Sequence, residues 1–153
     1  MKQSRKRRGR RVVVDTSVVI SGIAAFKPSF VAGKNDSGDL LYEWVARGGF
    51  AWLVTAEILD EYKEVARRLK VRPSVAGHLI NLLNEAAQEV AVESVFEISP
   101  DPGDNAFCAC AQAGRADFLV TLNPKDFPQG KLPAKVVSPF DLLQVLRPRR
   151  RWR

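Results

Sequence analysis

Residues 11 to 15 read Arg-Val-Val-Val-Asp. Three β-branched residues stand in a row with no polar residue between them, and an aspartate ends the run. A strand with one wet face alternates apolar with polar residues, whereas a strand buried on both faces does not. The run 12–14 therefore predicts a strand covered on each side, the condition of a parallel sheet between two helical layers. Phe50–Val54 has the same character.

Helical patterns fall between such runs. Residues 17–25 suit a short helix, 27–37 read as loop, and 38–47 carry Leu40, Leu41, Trp44 and Val45 at helical spacing before Gly48 and Gly49. Thr55 caps an amphipathic helix whose stripe is Ile58, Leu59, Tyr62, Val65, Ala66 and Leu69. Pro73 opens another, with Leu79, Ile80, Leu82, Leu83, Ala86, Ala87 and Val90 on one face. The pattern then predicts a strand near 92–98, a buried helix over 103–114, a strand over 117–121, a last strand at 135–137 and a helix over 139–146. The expectation is an α/β fold in three layers: about five strands, mainly parallel, with helices on both faces.

The net charge of +7 is unevenly spread. Residues 1–11 hold seven Lys or Arg and residues 147–153 hold five Arg, with no acid in either segment. Between them stand 12 basic and 17 acidic residues, a net of −5. The division is a basic arm (1–11), an acidic body (12–146) and a basic tail (147–153). Arg5, Arg7, Arg8 and Arg10 in the arm, with Arg149, Arg150, Arg151 and Trp152 in the tail, are candidates to grip a phosphate backbone and stack on a base. Solvated tails are the plainer alternative.

No window of 18 apolar residues occurs, and the first apolar run meets Asp15 at once, so neither a membrane span nor a secretory signal is expected. Cys108 and Cys110 would point roughly 200° apart on a helix, which suits core thiols rather than a shared metal or a disulfide and fits a cytoplasmic protein. His78 is the only histidine and has no nucleophile partner at motif spacing, and no Gly-rich phosphate loop is present.

The acids are more informative. In a parallel sheet ligands gather at the carboxyl ends of the strands. Asp15 ends the first strand, where it also suits a helix cap, as do Thr16 and Ser17. Glu61 lies roughly 100° from the centre of its helix's apolar stripe, nearer the core than Glu57, Asp60 or Glu64, unless it is a rim residue paired with Lys63 or Arg68. Asp101 and Asp104 flank a Pro-Gly turn at the entrance of a buried helix; one cap explains only one of them. Asn123 and Asp126 follow the fourth strand, while Asp117 precedes it and faces the opposite edge. Carboxylates brought this close repel unless a cation neutralises them, and an all-oxygen set favours Mg²⁺ or Mn²⁺.

These segments resemble a known family. "VVVDTSVVISGI", "TAEILDEYKEVARRL", "DPGDNAFCACAQAGRADFLVTLNPKDFP" and "KVVSPFDLLQVL" together look like a PIN domain, nearest to the toxin-type, VapC-like ribonucleases of prokaryotic toxin–antitoxin pairs. The resemblance runs from about residue 11 to 146. It implies a Mg²⁺- or Mn²⁺-dependent single-stranded RNA endonuclease with Asp15, Glu61 and Asp104 as metal ligands and Asp126 as a further catalytic acid. Thr16, Ser17, Asp101, Asn105 and Asn123 take auxiliary positions. It also implies a homodimer and a cognate antitoxin, for which Phe26, Phe30 and Val31 are exposed apolar candidates. Two departures stand out: Asn123 occupies the usual slot of the fourth acid, and Ser17 stands where Asn is common. They leave open an alternative, a catalytically degenerate RNA-binding module. An aspartyl phosphatase is disfavoured, because Ser17 occupies the place of its second carboxylate.

Overall fold

The computed structural model describes residues 9–25, 31–92, 105–127, 130 and 132–147. Five strands form one sheet: β1 (Arg10–Val14), β2 (Phe50–Val54), β3 (Gln88–Glu89), β4 (Phe118–Val120) and β5 (Lys135–Val137). Their order is β3-β2-β1-β4-β5 and every pairing is parallel. The described helices are α1 (Thr16–Ala24), α2 (Asp36–Arg47), α3 (Ala56–Arg68), α4 (Pro73–Ala86), α5 (Asn105–Ala113) and α6 (Pro139–Leu146).

The valines of β1 explain the architecture. Val12, Val13 and Val14 are each 0% exposed. Successive strand residues point to opposite faces, so both faces of β1 are covered. Each such side chain contributes about 1.5–3 kcal/mol by leaving water. β1 therefore takes the centre, with β2 and β3 on one side and β4 and β5 on the other. The chain leaves β1 in one direction and later returns to its other side, so the switch in strand order falls between β1 and β4. Ligand crevices in open α/β sheets lie at that point.

Two expectations are corrected, the reach of the Pro73 helix to Val90 and the start of the helix expected over 38–47. The strand beside β2 is Gln88–Glu89, which the pattern does not mark as a strand; the run expected near 92–98 lies, from residue 93 on, outside the described residues. Val90 belongs with it rather than with α4, because its N–H donates to the Val54 carbonyl at 2.8 Å. α2 starts earlier than its apolar spacing suggested: Asn35 caps it by accepting the Gly38 N–H at 2.8 Å. α5 is described from Asn105 onward, with 103 and 104 outside.

Thr55 caps α3 as expected, accepting the Ile58 N–H at 3.1 Å. Gly48 ends α2 in the left-handed region (φ 59°), a conformation glycine adopts without a Cβ penalty. Trp44 and Trp52 are core residues in edge-to-face contact, with ring centroids 4.9 Å apart. Cys108 and Cys110 are buried free thiols. Burial pushes the Cys110 thiol up to about 12, against the opposing pull of the Arg11 guanidinium. Among the described residues no helix is long and apolar enough to cross a membrane.

Candidate functional site

Asp15 continues the β1–β4 ladder by one step, its N–H donating to the Val120 carbonyl at 2.9 Å. Thr121 continues the next ladder in the same way, through its N–H to Val137 O at 3.0 Å. These two residues thus face each other across the switch point, held by backbone before any side chain acts. Asp15 is 8% exposed and Thr121 is fully buried.

The Asp15 carboxylate does not cap α1. Ser17 Oγ donates to its Oδ2 at 2.6 Å, and Thr121 Oγ1 donates to the same oxygen at 2.9 Å. The two hydroxyls fix the carboxylate's rotation and turn Oδ1 away from themselves. Each hydroxyl also accepts from the loop after β4: Ser17 Oγ takes the Leu122 N–H at 3.1 Å, and Thr121 Oγ1 takes the Asn123 N–H at 3.1 Å. Two amide–hydroxyl–carboxylate relays therefore converge on one oxygen. Charge-assisted bonds of this kind are the stronger class.

Glu61 comes from α3. Its Oε2 accepts from Thr16 Oγ1 at 3.2 Å, so Thr16 and Ser17, expected as caps, tie down the two carboxylates instead. The cations that suited a rim pairing for Glu61 are used elsewhere: Lys63 lies 3.5 Å from Asp60, and Arg68 lies 4.0 Å from Glu64. The next residue explains how α3 is seated. Tyr62 is buried, and its hydroxyl donates to the carbonyl of Val14, the residue before Asp15. Trp52 Nε1 donates to the same hydroxyl at 3.3 Å. Burial raises the Tyr62 phenol well above its usual range, with Cys110, Asp15 and Glu61 adding in the same direction and the Trp52 N–H opposing. Tyr62 is thus a neutral donor that seats Glu61 beside Asp15.

The remaining expected residues divide. Asp126 lies in a one-turn 3₁₀ helix (Pro124–Asp126) after β4, exposed, with its N–H on Asn123 O at 2.9 Å; Asn123 is exposed too. Asn105 is the first residue of α5. Asp101 and Asp104 lie outside the described residues, as do Arg5, Arg7, Arg8, Arg149, Arg150, Arg151, Trp152, Phe26 and Phe30. Val31 is 53% exposed, and Arg10 opens β1 exposed. Asp117 sits at the opposite edge, where it accepts the Arg11 N–H at 2.8 Å.

Among the described residues no three of His, Cys, Asp and Glu stand close enough to hold a metal ion. The pair they bring together, Asp15 and Glu61, offers carboxylate oxygen alone, the donor type that suits Mg²⁺ or Mn²⁺. Two site residues escaped the sequence reading. Thr121 entered only as the last residue of the strand expected over 117–121, although a Thr ending a buried strand was its signal. Tyr62 read only as core.

The sequence matches the model of the PIN domain over residues 11–125, from β1 to the turn after β4. No curated protein matches it. A PIN domain is generally a nuclease that acts on RNA or other nucleic acid with the help of divalent metals. The strand order and the Asp15–Thr121 crevice agree with that match, and the chain belongs to the PIN domain family.

Proposed function

We propose that this chain is a Mg²⁺- or Mn²⁺-dependent endonuclease of single-stranded RNA. The observation that carries the reading is Asp15, buried at the β1–β4 switch and held by Ser17 and Thr121, with Glu61 tied beside it through Thr16. A carboxylate anchored by two hydroxyls and flanked by a second carboxylate is stabilised by a cation rather than by a core.

Asp15 and Glu61, with Asp104, the residue before α5 in sequence, would hold the cation. When bound, the metal neutralises charge on the phosphodiester and makes water acidic enough to serve as nucleophile. Ser17, Thr16 and Thr121 orient the ligands, as groups behind metal ligands commonly do. Asp126 and Asn123, exposed in the turn after β4, stand at the same edge, Asp126 as a further catalytic acid and Asn123 in an auxiliary place. The basic segments 1–11 and 147–153 hold the backbone of the RNA strand.

The resemblance to toxin-type PIN ribonucleases extends the proposal to a cytoplasmic homodimer silenced by a cognate antitoxin. An apolar groove of about 410 Å³ between α1, α2 and α4, lined by Ile23, Leu41, Val45, Val75, Leu79 and Leu82, favours a protein partner of some kind.

The test is cleavage of a mixed-sequence single-stranded RNA in Mg²⁺, in Mn²⁺ and in EDTA, with Asp15→Asn and Asp104→Asn alongside. Cutting that needs metal and that both variants lose supports the reading. Metal-dependent cutting that survives Asp15→Asn would sink it. Asn123, an amide in the slot of a carboxylate, favours the second reading, a binding module without turnover. That reading expects tight, salt-sensitive RNA binding and no cutting in any metal.

A further inference from the structure

The charge of the chain is divided across the sheet as well as along the sequence. All five strands are parallel, so their amino ends share one edge, and the carboxylates lie at the other. Arg10 is the first residue of β1 and Lys135 the first of β5. Arg47 ends α2 three residues before β2, and Arg115 sits in the turn that leads into β4. All four are exposed.

A fifth cation, Arg147, is brought to this edge by a contact that the sequence does not announce. Its Nε lies 3.6 Å from Oε1 of Glu43, a carboxylate with only 7% of its side chain exposed. The Glu43 carbonyl in turn accepts the N–H of Gly49, the residue before β2. Phe50 then pairs in register with Arg10. The end of α6 is thereby fixed beside the start of β1.

The acids at this edge offset part of this charge, Glu43 against Arg147 and the exposed Asp117 and Glu85 by their own charge, and the cations remain in excess. Glu43 is buried against Arg147, and Asp117 accepts the backbone N–H of Arg11. Residue 9 and residue 147, to which the basic segments are joined, both lie here. The edge is thus a concentration of positive charge about 15 Å, the length of a five-residue strand, from the carboxylates.

We propose that the amino edge of the sheet, around Arg10, Arg47, Arg115, Lys135 and Arg147, is an exosite for the phosphodiester backbone of single-stranded nucleic acid, separate from the carboxylate crevice. The exosite rests on the nuclease reading only in its link to cleavage; its binding chemistry stands by itself. It holds a strand by backbone charge, without reading bases, and so retains a long substrate at a distance from the cut.

The experiment uses the full chain in EDTA and a fluorescent single-stranded RNA of about 20 nucleotides, longer than the ~4–16 that one compact surface covers. The variant is Arg47→Gln/Arg115→Asn/Lys135→Gln; Asn suits the left-handed φ of 52° at Arg115. The control removes the same charge elsewhere, by Lys34→Gln/Arg68→Gln/Arg72→Gln. Matching thermal melts establish that each protein is folded.

The edge variant is expected to bind about tenfold more weakly, with its salt slope shallower by about 2, and the control much less so. Equal losses in the two variants, or none in the edge variant, overturn the exosite. Where the parent cuts RNA, the edge variant raises KM for the long strand, leaves a strand of about 4 nucleotides unaffected, and keeps kcat for both. A parent that cuts nothing refutes the nuclease reading while the binding comparison still decides the exosite.

Discussion

Thr121 Oγ1 donates to Asp15 Oδ2 at 2.9 Å while accepting the N–H of Asn123 at 3.1 Å. One hydroxyl thus joins the loop after β4 to the carboxylate after β1. Thr121→Val keeps the shape and removes both bonds. It is expected to lower stability by about 1–2 kcal/mol in urea denaturation. RNA cleavage should fall about 10–100-fold, the usual effect of losing a group that orients a metal ligand. Unchanged cleavage would show that Ser17 alone positions Asp15.

Tyr62→Phe removes the donor to the Val14 carbonyl and the acceptor of the Trp52 N–H, both buried. A loss of about 1–3 kcal/mol is expected in urea. Because the hydroxyl seats α3 against β1, the Thr16–Glu61 contact should loosen with it. Metal affinity, read by calorimetry, is the check: a variant that is destabilised but binds metal as tightly as the parent would separate Tyr62 from the site.

Alkali is expected to unfold the protein early, and the sign follows from two buried acids. Cys110 titrates near 9.0 when unfolded and at about 12 when folded, so the folded state keeps a proton that the unfolded chain gives up. Its stabilisation is complete below about pH 9 and declines by up to ~1.4 kcal/mol per pH unit until the folded thiol titrates. Tyr62, raised well above 10.0, adds its own decline from there upward. In Cys110→Ala the urea midpoint should hold level to about pH 10, then fall. A profile identical to the parent's between pH 8 and 11 would refute the assignment to Cys110.

At Gly22, α1 lies directly against α2. A Cβ there would meet Leu41 Cδ1 at 2.5 Å and Ser37 O at 2.9 Å. Gly22→Ala should therefore cost about 1–3 kcal/mol by overpacking. Adding Leu41→Val should recover part of this, since the side-chain clash eases while the Ser37 carbonyl stays. A neutral Gly22→Ala would mean that the two helices can separate freely.

The sheet's centre was legible because its valines must be buried on both faces, and residue type alone states that. Asp15 and Glu61 were legible for a related reason: each is a carboxylate where the pattern leaves little water. β3 was not, because a two-residue strand of Gln and Glu carries no apolar signal; its pairing with β2 is backbone alone. The N-cap at Asn35 was hidden among loop-like residues whose capping value appears only once Gly38 is placed. Thr16 and Ser17 were misassigned as caps because sequence shows that a hydroxyl needs a partner, not which one. Thr121 was missed because its partner, Asp15, is 106 positions away.

That separation has a temporal consequence. A ribosome adding ~5–20 residues per second releases Thr121 roughly 5–20 s after Asp15. Through that interval β1 and β2 can pair, but the wall of the crevice that β4 supplies does not exist. Half a crevice orients nothing: the Asp15 carboxylate lacks one of its two hydroxyls and the loop amides behind both. A nascent chain is therefore without its assembled site beside the ribosome's own RNA and the message being read, and gains it only when most of the molecule is out. The central strand is made first and completed late, so the strand order works as a delay on whatever chemistry the crevice performs.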